Sequence, residues 1–160
     1  MKSDSPFGVL LIKDGHETGT ATTYTVGTLA KITDFYQGSD GLLGITALGG
    51  QRFRLLSSER LHDGLNVADV ELIEAEVSSP LPDEFQAMRS MLAHILDDLG
   101  RLYETQDRAL SDAVWVTYRF LEILPIDLEK KQRSLESSDT QARLKLVNQL
   151  LDYVRGPSRH

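Results

Sequence analysis

The sequence predicts an α+β fold, in which an antiparallel barrel or rolled sheet is followed by a small helical bundle. Up to about residue 79, short apolar runs are separated by glycines and turn residues, with no helix between them. Beyond that point glycine is rare, and apolar residues recur at three- and four-residue steps. The change falls at Ser78-Ser79-Pro80-Leu81-Pro82. We therefore expect a β subdomain at residues 1–79 and a helical subdomain at residues 80–160.

Five extended segments are predicted in the first half, each rich in apolar or β-branched residues. They are Phe7 to Ile12, Tyr24 to Tyr36, Leu42 to Leu48, Arg52 to Leu56 and Val67 to Val77. The first is continuously apolar, which is typical of a strand buried on both faces, and Lys13-Asp14-Gly15 should end it in a turn. Gly27 is expected to mark a bend or bulge. Gly49-Gly50 is interpreted as the turn of a two-residue hairpin.

Three or four helices are predicted in the second half. Asp83, Ser111 and Asp139 are expected to cap the first, second and last of them, because short polar side chains satisfy free N–H groups at a helix start. Pro125 should end the second helix or start the next one, and a short helix should follow from about residue 126 to residue 135. Short connections between these helices are typical of a small bundle.

Composition narrows the class of protein. The chain has no cysteine, which excludes disulfides, thiolate metal sites and cysteine nucleophiles. Its net charge of −7 argues against general nucleic-acid binding, since such binding depends on Lys and Arg. No apolar run approaches the roughly 18 residues that span a bilayer, and the start lacks a signal-peptide pattern. We expect a cytoplasmic protein without membrane contact.

No catalytic, metal or cofactor motif is recognisable. The histidines lack partners at metal-ligand spacing, and His94 beside Asp97 and Asp98 is interpreted as a charged cluster on a helix surface. The region from Gly15 to Gly19 lacks the lysine of a phosphate-binding loop. No serine lies in a G-x-S-x-G elbow. The sequence therefore predicts no enzyme, no metal and no cofactor.

Two groups of residues are candidates for binding. Arg52 and Arg54 are two apart on a predicted strand, so they should share a face and could bind an anion, unless they pair with acids of the same domain. Trp115 and Tyr118 are three apart on a predicted helix. They could pack into the core or form a surface on which a ligand stacks.

Several segments resemble the amino-terminal substrate-recognition domain of ATP-dependent Lon proteases, which also occurs as a stand-alone bacterial protein. The strand Gly49-Gly50-Gln51-Arg52-Phe53-Arg54-Leu55 is similar to the family's G-x-x-R-F-x-[ILV] strand. The order and spacing of the other matching segments extend the resemblance across nearly the whole chain. These are Pro6 to Ile12, Val26 to Ile32, Asp40-Gly41, Leu110-Ser111-Asp112, Leu124-Pro125, Lys131-Gln132, Leu135-Glu136, Asp139 and Arg143-Leu144.

The resemblance implies a PUA-like pseudo-barrel followed by a helical bundle, and recognition of unfolded or damaged polypeptide. The ATPase and Ser-Lys protease modules of full Lon have no counterpart in the sequence. The family usually has two extended segments and a helix before the strand that matches residues 7–12. We therefore expect either a start codon assigned too far downstream, or a strand edge that another chain completes.

The leading hypothesis is a non-catalytic protein that binds peptides by adding an extended segment to a strand edge, beside an apolar groove. Phe35, Tyr36, Trp115 and Tyr118 are its candidate contacts. The alternative is a PUA-like module that binds RNA or a small molecule through Lys31, Arg52 and Arg54. A third hypothesis is an adaptor for a separate protease. Self-association through an exposed strand edge is also expected.

Overall fold

The computed structural model describes residues 5–15, 21–103 and 108–155. The chain divides into two compact units, Met1–Ala75 and Glu76–His160. The first contains antiparallel strands and the second contains helices, so the predicted α+β class is confirmed. The division falls four residues before the predicted boundary, because Glu76 and Ser79 already bond to residues of the helical unit.

The first unit has a four-stranded sheet in the order β1-β4-β5-β6 and a separate pair of strands, β2 and β3. All the pairings are antiparallel. The strands are β1 (Phe7–Val9), β2 (Ile12–Gly15), β3 (Ala21–Thr23), β4 (Val26–Gln37), β5 (Leu43–Arg60) and β6 (Asn66–Leu72). The two long strands, β4 and β5, form a hairpin at the centre of the sheet.

Close packing around Gly27 explains the glycine that the sequence analysis singled out. A Cβ at this position would lie 2.3 Å from the carbonyl oxygen of Val9 and 2.8 Å from the ring of Phe53. Phe53 is 2% exposed and, with Val26 and Ala30, belongs to the buried part of the sheet. Glycine at position 27 therefore allows strand β1 and the Phe53 ring to approach the main chain of β4.

Three predictions about the strands are wrong. Residues 7–12 divide between β1 and β2, and β1 is exposed rather than buried on both faces. The predicted turn at Lys13-Asp14-Gly15 lies within β2. Gly49-Gly50 is not a hairpin turn, because β5 continues through it to Arg60. The register shifts there, with three steps along β5 against two along β4, so the glycines accommodate a bulge.

The described residues of the second unit form four α-helices that share an apolar core. They are α1 (Gln86–Leu99), α2 (Ala113–Ile123), α3 (Leu128–Glu136) and α4 (Thr140–Arg155). Short 3₁₀ helices precede and follow α1, at Asp83–Phe85 and Gly100–Tyr103. Residues from α1, α2 and α4 are fully buried together, including Leu92, Leu96, Val116, Phe120, Leu144 and Val147. This core provides the hydrophobic stabilisation of the bundle.

The helix starts partly match the predictions. Asp139 accepts a hydrogen bond from the N–H of Ala142 at 3.0 Å, as predicted for the cap of α4. The cap of α2 is Asp112 and not Ser111, since the Asp112 carboxylate accepts from Val114 N. Asp83 caps no α-helix, because it begins a 3₁₀ turn. Leu124 leaves helical geometry just before Pro125, as expected.

Candidate functional site

The central hairpin extends beyond its neighbours in the sheet. Strand β1 pairs only with residues 28–30 of β4, and β6 pairs only with residues 53–60 of β5. Residues 31–48, which we name the outer hairpin, thus form a two-stranded ribbon. Within the part of the chain that the structure describes, no strand flanks it on either side. Both edges of the ribbon are therefore without a neighbouring strand among the residues that the structure describes.

Local chemistry fixes the turn of the outer hairpin. Gly41 has φ +81°, a conformation that glycine adopts without strain. The Asp40 carboxylate accepts a hydrogen bond from the N–H of Leu42 at 3.0 Å. Gly38 N then donates to Leu42 O at 2.8 Å and closes the turn. These contacts set the register of β4 against β5.

One face of the outer hairpin presents apolar side chains to solvent. Phe35 lies directly opposite Ile45, and Leu43 lies two residues from Ile45 on the same face. These three side chains are 54%, 44% and 71% exposed. A two-stranded ribbon gains little stability from such exposed groups. Exposed apolar patches commonly mark sites of interaction, so this face is the candidate functional site.

Tyr36 lies in the same hairpin but on its other face. It is opposite Gly44, and a Cβ on that glycine would lie 2.4 Å from the tyrosine ring. The ring therefore rests against the bare main chain of β5. The two aromatic residues predicted to bind peptide, Phe35 and Tyr36, are thus both half-exposed but on opposite faces.

Trp115 and Tyr118, the other predicted contacts, belong to α2 in the helical unit. Trp115 is partly buried against the apolar core, and the guanidinium of Arg119 lies 5.5 Å from the centre of its ring. Tyr118 donates its hydroxyl proton to Glu76 Oε2 at 2.6 Å. The guanidinium of Arg143 lies 4.0 Å from the centre of the Tyr118 ring. The Tyr118 side chain is thus engaged in contacts within its own unit.

Those contacts belong to a buried charged cluster. Arg143 donates to Glu76 Oε1 at 2.6 Å and to Thr117 Oγ1 at 2.9 Å, and Thr140 donates to Glu76 Oε1 at 2.8 Å. Burial alone would raise the pKa of Glu76. The hydrogen bonds from Arg143, Tyr118 and Thr140, together with the Arg143 charge, outweigh burial and hold the pKa below its ordinary value. The cluster therefore keeps Glu76 ionised and ties the start of the unit to α2 and α4.

The cationic residues predicted to bind anions have different surroundings. Arg52 is buried in β5, opposite Thr28 of β4. Arg54 Nη1 lies 3.8 Å from Glu71 Oε1 on the neighbouring strand. Lys31 is exposed and lies opposite Leu48 in the outer hairpin. The burial of Arg52 and the carboxylate beside Arg54 do not favour an anion site that all three would share.

The cluster of His94, Asp97 and Asp98 lies exposed on α1. His94 is exposed on α1, and Asp97 accepts a hydrogen bond from Arg108 at 2.8 Å. Among the described residues, no group of three or more metal-ligating side chains is placed to hold an ion. No helix in the ranges that the structure describes is long and apolar enough to cross a membrane.

Sequence reasoning did not name Leu43 and Ile45 as residues of the candidate site. A usable signal exists for both, since residues 42–50 form a long run without charge or proline. Nothing in the sequence shows that β4 and β5 extend beyond their neighbouring strands. That overhang depends on the lengths of β1 and β6, which have weak local signals.

Comparisons with known proteins agree on one family. A profile described as the ATP-dependent protease La (LON) substrate-binding domain matches residues 1–153. Lon protease 2 from Bdellovibrio bacteriovorus is 30% identical over 134 residues, which is 80% of this chain and 17% of that protein. The chain thus spans about a sixth of the length of this relative.

Solved structures show the same fold. A Lon N-terminal domain protein from Xanthomonas campestris has 30% sequence identity and a TM-score of 0.67, over 89% of this chain and 74% of that one. The N-terminal domain of a Mycobacterium avium complex Lon protease has 17% identity and a TM-score of 0.55, over 89% and 76% of the two chains. At that identity, the second likeness concerns the fold alone.

Proposed function

Because this chain belongs to the family of Lon protease substrate-binding domains, we propose that it binds unfolded polypeptide and performs no catalysis itself. Family membership makes it a substrate-recognition domain. The kind of substrate, the surface that binds it and the absence of catalysis are the parts that we propose. We also propose that the protein acts in a bacterial cytoplasm, in agreement with its cysteine-free sequence.

The outer hairpin is the observation that carries this proposal. Phe35, Leu43 and Ile45 are apolar side chains that a folded protein ordinarily covers. Unfolded chains expose similar side chains, and their contact with this face would remove apolar surface of both partners from water. The unpaired strand edges beside the face offer main-chain groups to an extended segment. Such bonding tolerates many sequences, as recognition of unfolded chains requires.

The partner that follows from the proposal is polypeptide without stable structure. The domain would hold exposed apolar segments and present them to a protease, on the same polypeptide or on a separate one. Trp115 and Tyr118 are secondary candidates, since both are partly exposed on α2. The bonding of Tyr118 to Glu76 makes it less available than Phe35.

An RNA or small-molecule function has weaker support. It would rely on Lys31, Arg52 and Arg54, of which Arg52 is buried and Arg54 lies beside Glu71. The net charge of −7 also opposes binding to a polyanion. A steep loss of affinity for RNA with rising salt would nevertheless support this alternative over ours.

The proposal is tested with fluorescently labelled, reduced and carboxymethylated α-lactalbumin as an unfolded probe, and with native α-lactalbumin as its folded counterpart. Fluorescence anisotropy should show binding of the unfolded form only. Ile45→Asp places a charge on the apolar face and should weaken binding by about tenfold or more, because contact would desolvate the charge. Unchanged affinity of Ile45→Asp would contradict the proposed site.

Val154→Asp is the matched control, because Val154 is a β-branched residue of similar exposure, at 56%, on α4 of the other unit. The affinity of this variant for the unfolded probe should lie within about twofold of the wild-type affinity. That corresponds to a change of less than about 1 kcal/mol in binding free energy. Equal weakening by both substitutions would show that added negative charge, and not the outer hairpin, determines binding. Equal binding of native and unfolded probe would contradict recognition of unfolded chains.

A further inference from the structure

The two edges of the outer hairpin differ in their main-chain chemistry. In an antiparallel pair, opposed residues alternate between exchanging hydrogen bonds and directing their N–H and C=O groups outward. Gly38 donates to Leu42 O, so this pair is bonded, and the pairs Gln37–Leu43 and Phe35–Ile45 are then outward-facing. Phe35 N in fact donates to the Asp34 side chain and not to β5. Two independent hydrogen bonds thus fix the same alternation.

The edge of β4 is obstructed at two places. The Asp34 Oδ1 atom accepts the outward N–H of Phe35 at 2.9 Å and fills the position that an added strand would occupy. The register also shifts between Ile32 and Asp34, and the Thr33 hydroxyl donates to Thr46 O at 3.3 Å. Charged side chains and bulges of this kind are the usual protection of exposed strand edges.

From Leu43 to Leu48 the edge of β5 has neither a charged side chain nor a bulge, and the register shift at Gly49-Gly50 follows this stretch. Residues 43–50, which we name the open edge, contain no charged residue and no proline. The same alternation directs the main-chain groups of Leu43, Ile45 and Ala47 outward, because β5 has no inserted residue up to Leu48. Among the described residues, no strand pairs with these groups on the side away from β4. A long, apolar, unprotected edge is a hazard that natural sheets normally avoid, unless it has a use.

Farther along β5, strand β6 pairs on the same side of the strand as the open edge. Strand β6 pairs with β5 from Arg60 back to Phe53, and Ile73 N donates to Arg52 O at 2.9 Å. The side chain of Gln51 donates to Ile73 O at 3.1 Å, at the end of this pairing. Residues 51–60 of β5 therefore have a neighbour on this side. Residues 43–50 have none among the described residues.

We infer that the open edge, and not the edge of β4, accepts an extended segment of unfolded polypeptide as an added strand. This inference rests on the proposed function and specifies its geometry. Residues 43–50 span about 25 Å, enough for a segment of about eight residues, and three outward positions offer about six main-chain hydrogen bonds. The segment is uncharged, with apolar side chains at alternate positions, because Leu43 and Ile45 flank it.

A second copy of this chain is the less suitable occupant. Each copy carries a net charge of −7, which opposes close association of two copies. An unfolded apolar segment carries no such charge. The obstruction of the β4 edge also prevents the continuous stacking of copies, which would need two open edges on each hairpin.

The test compares matched substitutions on the two edges, with the same unfolded probe. Ala47→Pro removes an outward N–H from β5, and Gln37→Pro removes the equivalent group from β4, so neither should break the ladder between the strands. Ala47→Pro should weaken binding about tenfold and Gln37→Pro less than twofold. Ala47→Lys and Gln37→Lys form a second pair, in case proline prevents folding, and thermal unfolding verifies that each variant is folded.

Amide hydrogen exchange of the wild type, followed by NMR, gives a readout without substitution. Saturating probe should slow the exchange of the Leu43, Ile45 and Ala47 amides and leave Phe35 unchanged. Slowed exchange of Phe35 alone would overturn the inference in favour of the β4 edge. A dimer seen by sedimentation and abolished by Ala47→Lys would overturn it in favour of a second copy.

These measurements distinguish failure of the proposed function from failure of the open edge as the acceptor. If the wild type does not bind the unfolded probe, the proposed function is wrong. If the wild type binds while the substitutions on both edges have equal effects, the open edge is wrong as the acceptor and the proposed function stands.

Discussion

Arg143 donates a hydrogen bond from Nη2 to Glu76 Oε1 at 2.6 Å, and their side chains are 2% and 5% exposed. The two residues are 67 positions apart, so the bond closes the helical unit from its first residue to its last helix. Tyr118 and Thr140 each donate a further hydrogen bond to the same carboxylate. A buried ion pair of this kind is costly to break from one side.

Glu76→Gln should destabilise the helical unit by about 3 kcal/mol, because it leaves the Arg143 charge buried without a counterion. Urea unfolding followed by far-ultraviolet circular dichroism measures this free energy. Glu129→Gln, which removes one partner of the exposed pair with Arg133, is the control and should change stability by less than about 0.5 kcal/mol. Equal effects of the two substitutions would mean that the buried ion pair contributes no more to stability than the exposed one.

The same carboxylate predicts a dependence of stability on pH. Since the pKa of Glu76 is lower in the folded state than its ordinary value of 4.5, the unfolded state binds more protons in the interval between the two. The stabilisation by ionised Glu76 is complete above pH 4.5, and it is lost as the pH falls through the pKa of Glu76 in the folded state. The stability difference between wild type and Glu76→Gln should therefore shrink on acidification. A difference that is constant from neutral pH to pH 3 argues against this linkage.

Gly27→Ala should destabilise the sheet unit by about 2 kcal/mol, because the new methyl group would meet the Val9 carbonyl and the Phe53 ring. Gly50→Ala is the matched control on β5, where the nearest atom would be 3.6 Å away. Chemical denaturation of both variants makes the comparison. A fully stable Gly27→Ala protein would show that β1 moves away from β4 at little cost.

Asp34→Ala should expose the N–H of Phe35 and open the second edge of the outer hairpin. We expect concentration-dependent association, measured as increased light scattering on mild heating, because two open edges allow successive copies to pair. Glu59→Ala makes the same change of charge on β5, where β6 already pairs with the strand, and should remain monomeric. Association of both variants to the same extent would attribute the effect to lost charge alone.

The fold class could be predicted because periodicity changes along the chain. Apolar spacing identified α1, α2 and α4, and Asp139 was correctly identified as a cap. The hairpin predicted at Gly49-Gly50 was wrong because two glycines serve equally in a turn and in a bulge, and only the partner strand distinguishes them. Ser111 and Asp112 are adjacent and chemically suited to the same role, so pattern alone could not choose between them.

The candidate site was predictable only in part. Phe35 was predicted as a peptide contact from its position at a strand end, and that role stays a prediction. Its partner Ile45 was not predicted, because register depends on a turn that the sequence locates only approximately. The burial of Arg52 could not be predicted either, because a strand pattern indicates the face on which a side chain lies and not how far it is buried. Glu76 gave no signal, since its partners lie on helices far along the chain.

Strand β5 runs without interruption for 18 residues, from the turn of the outer hairpin to Arg60. Tension along its first half is therefore carried by continuous main chain to Phe53, which is anchored in the sheet at 2% exposure, and passes through no loop. The outer hairpin is therefore fixed at its base by Phe53, and its register against β4 shifts between Gly49 and Arg52, just before that base.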